Sequence, residues 1–363
     1  MNAIDLFCGA GGLSRGFMDA GFNIIVGCDN DQDALNTFSK NHDGGVALNA
    51  DLSKQETIDK ILKIADGKQI DVVIAGPPCQ SFSLTGKRRY GVLDDPRNYL
   101  YKAVVDLIDQ VKPKGFIIEN VPGLYSMHNG DTREEILGCL RELGYNVECK
   151  ILLAADYGVP QTRKRLVFMG VREDIGKPVF PAPTHGPEAD RPYITCEEAI
   201  DDLPSREDGV LGESPDKYTH KPNTEYERKM RGDNNVLYNH IATAHKDFVK
   251  EVIAMVPDGG NYKDLPEGVG TSRNFHMAWT RLNSKLPART VDTGHRNLFH
   301  YKYNRVPTVR ESARIQSFPD DFVFTGPRTK QDRQVGNAVP PLMGYALGTA
   351  LKNIFKESED KND

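Results

Sequence analysis

Through the first 170 residues, short runs of aliphatic and β-branched residues alternate with helical patterns, and this alternation restricts the fold more than any other feature. Strands are expected near 2–6, 23–28, 71–75, 115–118, 150–154 and 166–171. Between residues 97 and 111, Leu100, Val104, Leu107, Ile108 and Val111 recur at helical spacing, and residues 131–143 repeat the pattern. Parallel strands need long crossovers, which helices supply, so the expected fold class is α/β with a Rossmann-like parallel sheet flanked by helices. Such sheets take ligands in crevices beyond the carboxyl ends of their strands, which directs attention to the loops that follow strands.

Regularity weakens at about residue 180, where Pro, Gly, Asp and Asn become frequent and only short helical pieces such as 245–255 stay legible. It returns near residue 306, with helices expected at 308–316 and about 340–355. The reading is a catalytic-type domain at 1–180, a second, smaller irregular domain at 181–304, and a return segment at 305–363 that completes the first. The whole chain has 363 residues, enough for about two domains of roughly 150 residues each. No apolar run approaches the length of a membrane span, and the start MNAIDLFCGAGG lacks a signal-peptide pattern, so a cytoplasmic protein without membrane contact is expected. The cysteines at 8, 28, 79, 139, 149 and 196 form no CxxC pair or Cys/His spacing, so neither a metal site nor a disulfide framework is indicated.

The net charge of −5 argues against a protein that coats polyanions by bulk charge, but it conceals a local reversal. Residues 271–310 carry Arg273, Arg281, Lys285, Arg289, Arg296, Lys302, Arg305 and Arg310 against one acid, Asp292, a net +7 that leaves −12 for the remainder. A basic stripe suits a polyanion, because each neutralised phosphate releases counterions; alone it could equally be a solvated surface.

Three post-strand loops carry chemistry. The first strand enters Phe7-Cys8-Gly9-Ala10-Gly11-Gly12, whose glycines permit a tight turn and close approach of a ligand. A dinucleotide fingerprint would need glycine at position 14, which is Ser14, so a phosphate-free nucleoside fits better, although a plain tight turn stays open. Asp29 ends the second strand, where a carboxylate can accept from ribose hydroxyls. The third strand opens into Gly76-Pro77-Pro78-Cys79-Gln80-Ser81-Phe82-Ser83. A lone cysteine is usually inert core, but a Pro-Pro brace and polar neighbours at a sheet edge suit a thiolate nucleophile. The fourth strand ends in Glu119-Asn120, a carboxylate that could cap, pair or act as an acid. Gln161, Arg163 and Arg165 form a QxRxR unit whose arginines share one face of a strand.

Taken in order, DLFCGAGG, GPPCQSFS, ENV, QTRKR, RVPTVRESARIQSFPDDF and QVGNAVPP closely resemble the DNA cytosine-5 methyltransferases of bacterial restriction-modification type. The resemblance covers roughly 2–171 and 305–351, and the interval between them falls where that family keeps its variable target-recognition domain.

The resemblance implies that Cys79 adds to cytosine C6, that Glu119 serves N3 with Asn120 orienting it, that Arg165 bonds O2, and that Arg163 supports the nucleophile loop and a phosphate. The implied cofactor is S-adenosylmethionine. Phe7, Gly9, Gly11 and Leu13 match its loop, Asp29 its ribose, Asp51 its adenine amino group, and Pro78, Leu100, Asn337 and Val339 further pocket positions. Asn30 stands where many relatives place an aromatic that stacks on adenine. The implied substrate is double-stranded DNA with one cytosine flipped out, at a cost of a few kcal/mol. Gln80, Ser81, Arg281, Arg289, Arg296 and Arg305 are candidate DNA contacts, and Thr290 matches a threonine that steers the flipped nucleotide. A cognate restriction endonuclease is the implied partner, a monomer the implied state, and the nucleoid the implied place of work. A tRNA cytosine-5 methyltransferase of the same fold and a catalytically silent DNA-binding regulator are the alternatives. Ser81 and Phe82 favour DNA over tRNA, and intact Cys79, Glu119 and Arg165 favour an enzyme. An NAD-dependent oxidoreductase is disfavoured by Ser14.

Overall fold

The computed structural model describes residues 1–78, 99–207, 210–269 and 279–362. It divides into two compact units.

The first unit comprises Met1–Leu153, Lys164–Ala182 and Pro341–Asp363. Its strands are β1 (Asn2–Leu6), β2 (Asn23–Asp29), β3 (Val46–Asn49), β4 (Val72–Ala75), β5 (Gly115–Asn120), β6 (Tyr145–Leu153) and β7 (Lys164–Arg172). They form one sheet in the order β3-β2-β1-β4-β5-β7-β6. Helices α1 (Gly12–Asp19), α2 (Gln32–Asn41), α3 (Gln55–Ala65), α4 (Tyr99–Val111) and α5 (Asp131–Glu142) connect the strands, and α11 (Pro341–Asn362) closes the chain. The strand β4, Val-Val-Ile-Ala, is buried along its whole length, as a central parallel strand covered on both faces must be. Its neighbours on the two sides are β1 and β5, and Val73, Tyr101, Val104, Ile108, Phe116 and Ile136 belong to one core beneath the helices.

Two features depart from the sequence reading. β7 runs antiparallel to both β5 and β6, so the sheet is mixed rather than wholly parallel. β3 went unnoticed because it is a four-residue edge strand that is nowhere buried, and its apolar run, Val46-Ala47-Leu48, is only three residues long.

The chain runs outward from β1 to β2 and β3 and then returns to β4 on the other side, so the order reverses between β1 and β4. A reversal of this kind parts the loops that leave two adjacent strands and opens a crevice at their carboxyl ends. The glycine loop leaves β1 there, and Gly76-Pro77-Pro78 leaves β4 beside it. Helix α11 packs on α1 at a contact so close that a Cβ on Gly16 would stand 2.3 Å from the Pro341 carbonyl oxygen.

The second unit comprises Ala154–Arg163 and Pro183–Pro340. Its strands are two residues long: β8 (Asp216–Lys217) pairs with β9 (Val236–Leu237), and β10 (Thr280–Arg281) with β11 (Leu298–Phe299). Its helices are α6 (Cys196–Ile200), α7 (Glu225–Arg231), α8 (Asp247–Met255), α9 (Val309–Ile315) and α10 (Arg328–Asn337). Capping boxes at Thr195/Glu198, Thr224/Glu227 and Thr308/Glu311 start three of them. Buried charge ties the pieces together. Arg314 reaches Asp202 and Asp320, and Arg305 makes a two-pronged pair with Glu311. Residues 305–340, which the patterning joins to the first domain, belong to this unit because their buried bonds go to Asn239, Asp202 and Arg163.

Candidate active site

In the first unit the β1 loop turns through left-handed backbone at Phe7, Gly9 and Gly11, with φ values of 58°, 53° and 91°. The Gly9 N–H donates to Asp29 Oδ2 at 2.8 Å, and the Asp31 N–H donates to Asp29 Oδ1 at 2.9 Å. Each oxygen keeps a second lone pair for a hydroxyl donor. A Cβ placed on Gly9 would meet no atom within 4 Å, so the strained turn borders open space rather than packed side chains. A turn that excludes a side chain for reasons of backbone strain, next to a half-buried carboxylate and an open volume, is suited to a ribose-bearing guest.

Leu13 is buried under this loop, Phe7 and Leu100 are partly buried, and Asp51 and Pro78 are exposed. Hydrogen bonds from the Ser53 side chain and backbone hold the Asp51 carboxyl below its ordinary value. Beneath the loop, the Ser14 hydroxyl donates to Asp5 Oδ2 at 2.6 Å, and burial pushes the Asp5 carboxyl up to about 8. Burial likewise pushes the Cys28 thiol up to about 12 and the Cys8 thiol well above its usual range, so neither offers a thiolate at neutral pH.

The sequence reading missed His42. Its ring stacks on Phe38, with centroids 4.1 Å apart, and its nitrogens face the Phe38 oxygen at 2.8 Å and the Gly11 oxygen at 3.1 Å. Burial lowers its pKa to about 4, so the neutral ring donates from one nitrogen and braces the turn against α2. A single histidine after a helix carries no local motif, which is why it was overlooked.

At the carboxyl end of β5, Glu119 Oε1 lies 2.5 Å from Arg165 Nε, with both side chains 13% exposed. Desolvation lowers the Arg165 pKa, and the Glu119 charge opposes that shift. The antiparallel register of β5 and β7, with Asn120 opposite Leu166, makes this pairing geometrically direct. Glu119 Oε2 stands 3.5 Å from the place a Cβ on Gly76 would occupy. Asn120 Nδ2 donates to the Pro77 carbonyl at 3.1 Å, and its Oδ1 accepts from the Val121 N–H at 2.9 Å. A carboxylate, a guanidinium and an amide thus converge on the first residues of the β4 loop. Cys79, Gln80 and Ser81, which follow them, lie outside the described residues.

In the second unit, Gln161 and Arg163 are buried and Thr162 between them is exposed. Arg163 Nη2 donates to the Gly336 carbonyl at 2.8 Å, one residue before Asn337, which is exposed; Val339 is 8% exposed.

Two candidate DNA contacts do not stand where the sequence reading put them. Arg281 is 5% exposed, and its guanidinium donates to the carbonyls of Val256, His300 and Ile253 and to Asn304 Oδ1. Arg305 is 4% exposed and is spent on Glu311 and the Ser205 carbonyl. Both are structural, because their donors are consumed inside the unit. Arg310 is also buried, while Lys285 pairs with Glu197 and Lys302 with Asp201, so among the described residues the basic stripe is weaker at the surface than in the sequence; Arg273 lies outside them. Arg289, Thr290 and Arg296 are exposed.

Among the described residues, no helix is long and apolar enough to cross a membrane. Residues 1–353 match the C-5 cytosine-specific DNA methylase family. The type II methyltransferase M1.HphI of Haemophilus parahaemolyticus is 39% identical over 96% of this chain and 86% of its own. M.DdeI of Desulfomicrobium norvegicum is 36% identical over 100% of this chain and 91% of its own. Among solved structures, a candidate DNA modification methyltransferase encoded within an E. coli prophage superposes with a TM-score of 0.79 at 27% identity, covering 98% of this chain and 99% of that one.

Proposed function

Because this chain belongs to the C-5 cytosine-specific DNA methylase family, we propose that it methylates C5 of one flipped cytosine in a specific duplex sequence through a covalent adduct at Cys79. The observation that carries this reading is the Glu119–Arg165 pair lodged beside Gly76, three residues before Cys79. Members of the family use S-adenosylmethionine, and the open space at Gly9 beside the Asp29 carboxylate fits that cofactor. Phe7, Gly9, Gly11, Leu13, Asp29, Asp51, Pro78, Leu100, Asn337 and Val339 are assigned to holding it.

In the proposed reaction the Cys79 thiolate forms a bond to C6, and the electron pair of the C5–C6 double bond moves into the ring. Glu119 Oε2 holds the proton that neutralises charge at N3, while Oε1 stays on Arg165. Arg165 Nη atoms reach for O2, Asn120 fixes the loop through Pro77, and Arg163 fixes Gly336. When bound, S-adenosylmethionine supplies an electrophilic methyl group on sulfonium to C5, now a nucleophilic carbon. Loss of the C5 proton to a base then regenerates the double bond and expels the Cys79 sulfur as thiolate, and the N3 proton returns to Glu119.

Residues 181–304 are assigned to target recognition, with Arg289 and Arg296 on phosphates, Thr290 on the flipped nucleotide, and Gln80 and Ser81 on DNA near the nucleophile. The enzyme is proposed to act as a cytoplasmic, nucleoid-associated monomer beside a restriction endonuclease of the same specificity.

Duplex DNA carrying 5-fluorocytosine in place of cytosine tests the mechanism, because fluorine cannot leave as a proton and the adduct is trapped. Incubation with S-adenosylmethionine should give a protein–DNA band resistant to denaturation, absent with Cys79→Ala. Complete methyl transfer with only free protein recovered, or methylation of tRNA but not of duplex DNA, would refute the proposal. Bisulfite sequencing of the expression plasmid identifies the target cytosine.

A further inference from the structure

Gln161 and Gln316 are fully buried, 0% exposed each, and lie in the second unit. The Val291 N–H donates to Gln161 Oε1 at 3.0 Å. Gln161 Nε2 donates to the Ile315 carbonyl at 3.4 Å and to Gln316 Oε1. Gln316 Nε2 in turn donates to the Ala338 carbonyl at 2.6 Å. Both amide orientations follow from chemistry, since a backbone N–H can only donate and a carbonyl can only accept. The result is a buried run of hydrogen bonds with one polarity, from Val291 through two side-chain amides to Ala338.

Its two ends are informative. Ala288 is pinned to residues 160–162: its N–H donates to the Pro160 carbonyl at 2.9 Å, and its oxygen accepts from the Thr162 N–H at 2.8 Å. Ala288 and Val291 are thus both anchored, and the pair between them, Arg289 and Thr290, is exposed. At the far end, Ala338 sits between Asn337 and Val339. A second contact joins the same segments, since a Cβ on Gly336 would stand 2.4 Å from the Asp292 oxygen.

We propose that Gln161 and Gln316 are positioning residues that set the nucleotide-steering pair Arg289–Thr290 at a defined distance from the cofactor-holding pair Asn337 and Val339. The inference rests on the functional reading above and adds that the two ligands are aligned through this link. Breaking it should leave each ligand bound but misaligned, so the loss falls on the transfer step.

The test uses full-length protein and a duplex bearing the cytosine found by bisulfite sequencing. Three quantities are measured: DNA affinity by anisotropy, S-adenosylhomocysteine affinity by calorimetry, and single-turnover methyl transfer with both substrates saturating. Gln161→Met and Gln316→Met are expected to keep both affinities within about threefold and to slow transfer by about 10- to 100-fold, as misplacement on the order of 1 Å does. Their double variant should be no slower than the slower single variant, because both cut one link. Gln161→Asn keeps both polar groups on a shorter arm and decides the matter if the methionine variants do not fold. Unchanged transfer accompanied by lost affinity or thermal stability would overturn the proposal, as would a double-variant loss equal to the product of the singles. A wild-type protein that binds S-adenosylhomocysteine but methylates no cytosine would instead overturn the functional reading.

Discussion

Arg281→Ala and Arg296→Ala should part company, although both remove one arginine from the same basic stretch. The Arg281 guanidinium lies at 2.7 Å from the Val256 oxygen, 2.5 Å from that of Ile253, 3.0 Å from that of His300 and 2.9 Å from Asn304 Oδ1. The Val256 carbonyl lies just past the last turn of α8, where a helix leaves acceptors unpaired, whereas the Ile253 carbonyl within that turn also accepts the Val256 N–H at 3.1 Å. Alanine would strand buried acceptors that had a charged donor. At about 1.5–3 kcal/mol for each such bond, and counting two that water cannot reach, the loss is about 3–6 kcal/mol. At about 2 °C per kcal/mol for a protein of this size, the melting temperature should fall by roughly 6–12 °C. Arg296 is exposed, so its alanine variant should stay within about 0.5 kcal/mol of wild type. If Arg296 contacts a phosphate, the plot of log affinity against log salt should become shallower by about 0.9, whereas Arg281→Ala, assayed below its melting point, should keep the wild-type slope. Calorimetric melting and anisotropy titrations at several salt concentrations measure both quantities. An Arg281→Ala protein that melts like wild type but shows the shallower salt slope would refute the assignment of that side chain to the interior.

Glu119→Gln keeps an oxygen for Arg165 but cannot hold the N3 proton, so methyl transfer should fall by about 10²- to 10⁴-fold with DNA affinity retained; parallel loss of both would count against the role. Asp5 has a folded-state pKa of about 8 against an ordinary 3.8, so its stabilisation is complete below 3.8 and is lost as pH rises through 8. The slope over that window is up to about 1.4 kcal/mol per pH unit, and Asp5→Asn lacks it. Its melting temperature relative to wild type should therefore climb between about pH 5 and about pH 8; a constant difference would contradict the burial argument. Gly9→Ala forces a side chain into left-handed backbone at about 1–2 kcal/mol and projects a methyl into the open volume, so S-adenosylhomocysteine affinity should drop along with stability. Unchanged affinity would mean that the cofactor does not approach Gly9.

What the sequence determined by itself is whatever local pattern encodes. Strands β1, β2, β4 and β5 were legible because buried parallel strands are continuous apolar runs, and α4 and α5 because one face repeats at 3.6 residues. The loops after β1 and β4 were legible as candidate sites for the related reason that an open sheet takes ligands beyond the carboxyl ends of its strands, while Arg165, at the start of β7, stood out through its QxRxR spacing. Tertiary structure alone decided the rest. Whether an arginine faces DNA or caps a helix depends on carbonyls distant in sequence, which is how Arg281 and Arg305 came to be misread. The partners of Gln161 are 130 to 155 residues away, and His42 reaches the Gly11 carbonyl across 31, separations over which composition and periodicity carry no signal. The second unit shows this most clearly: its short strands and helices are held by buried ion pairs such as Arg314 with Asp202 and Asp320. A charge discloses its burial only when the fold has brought its partner to it.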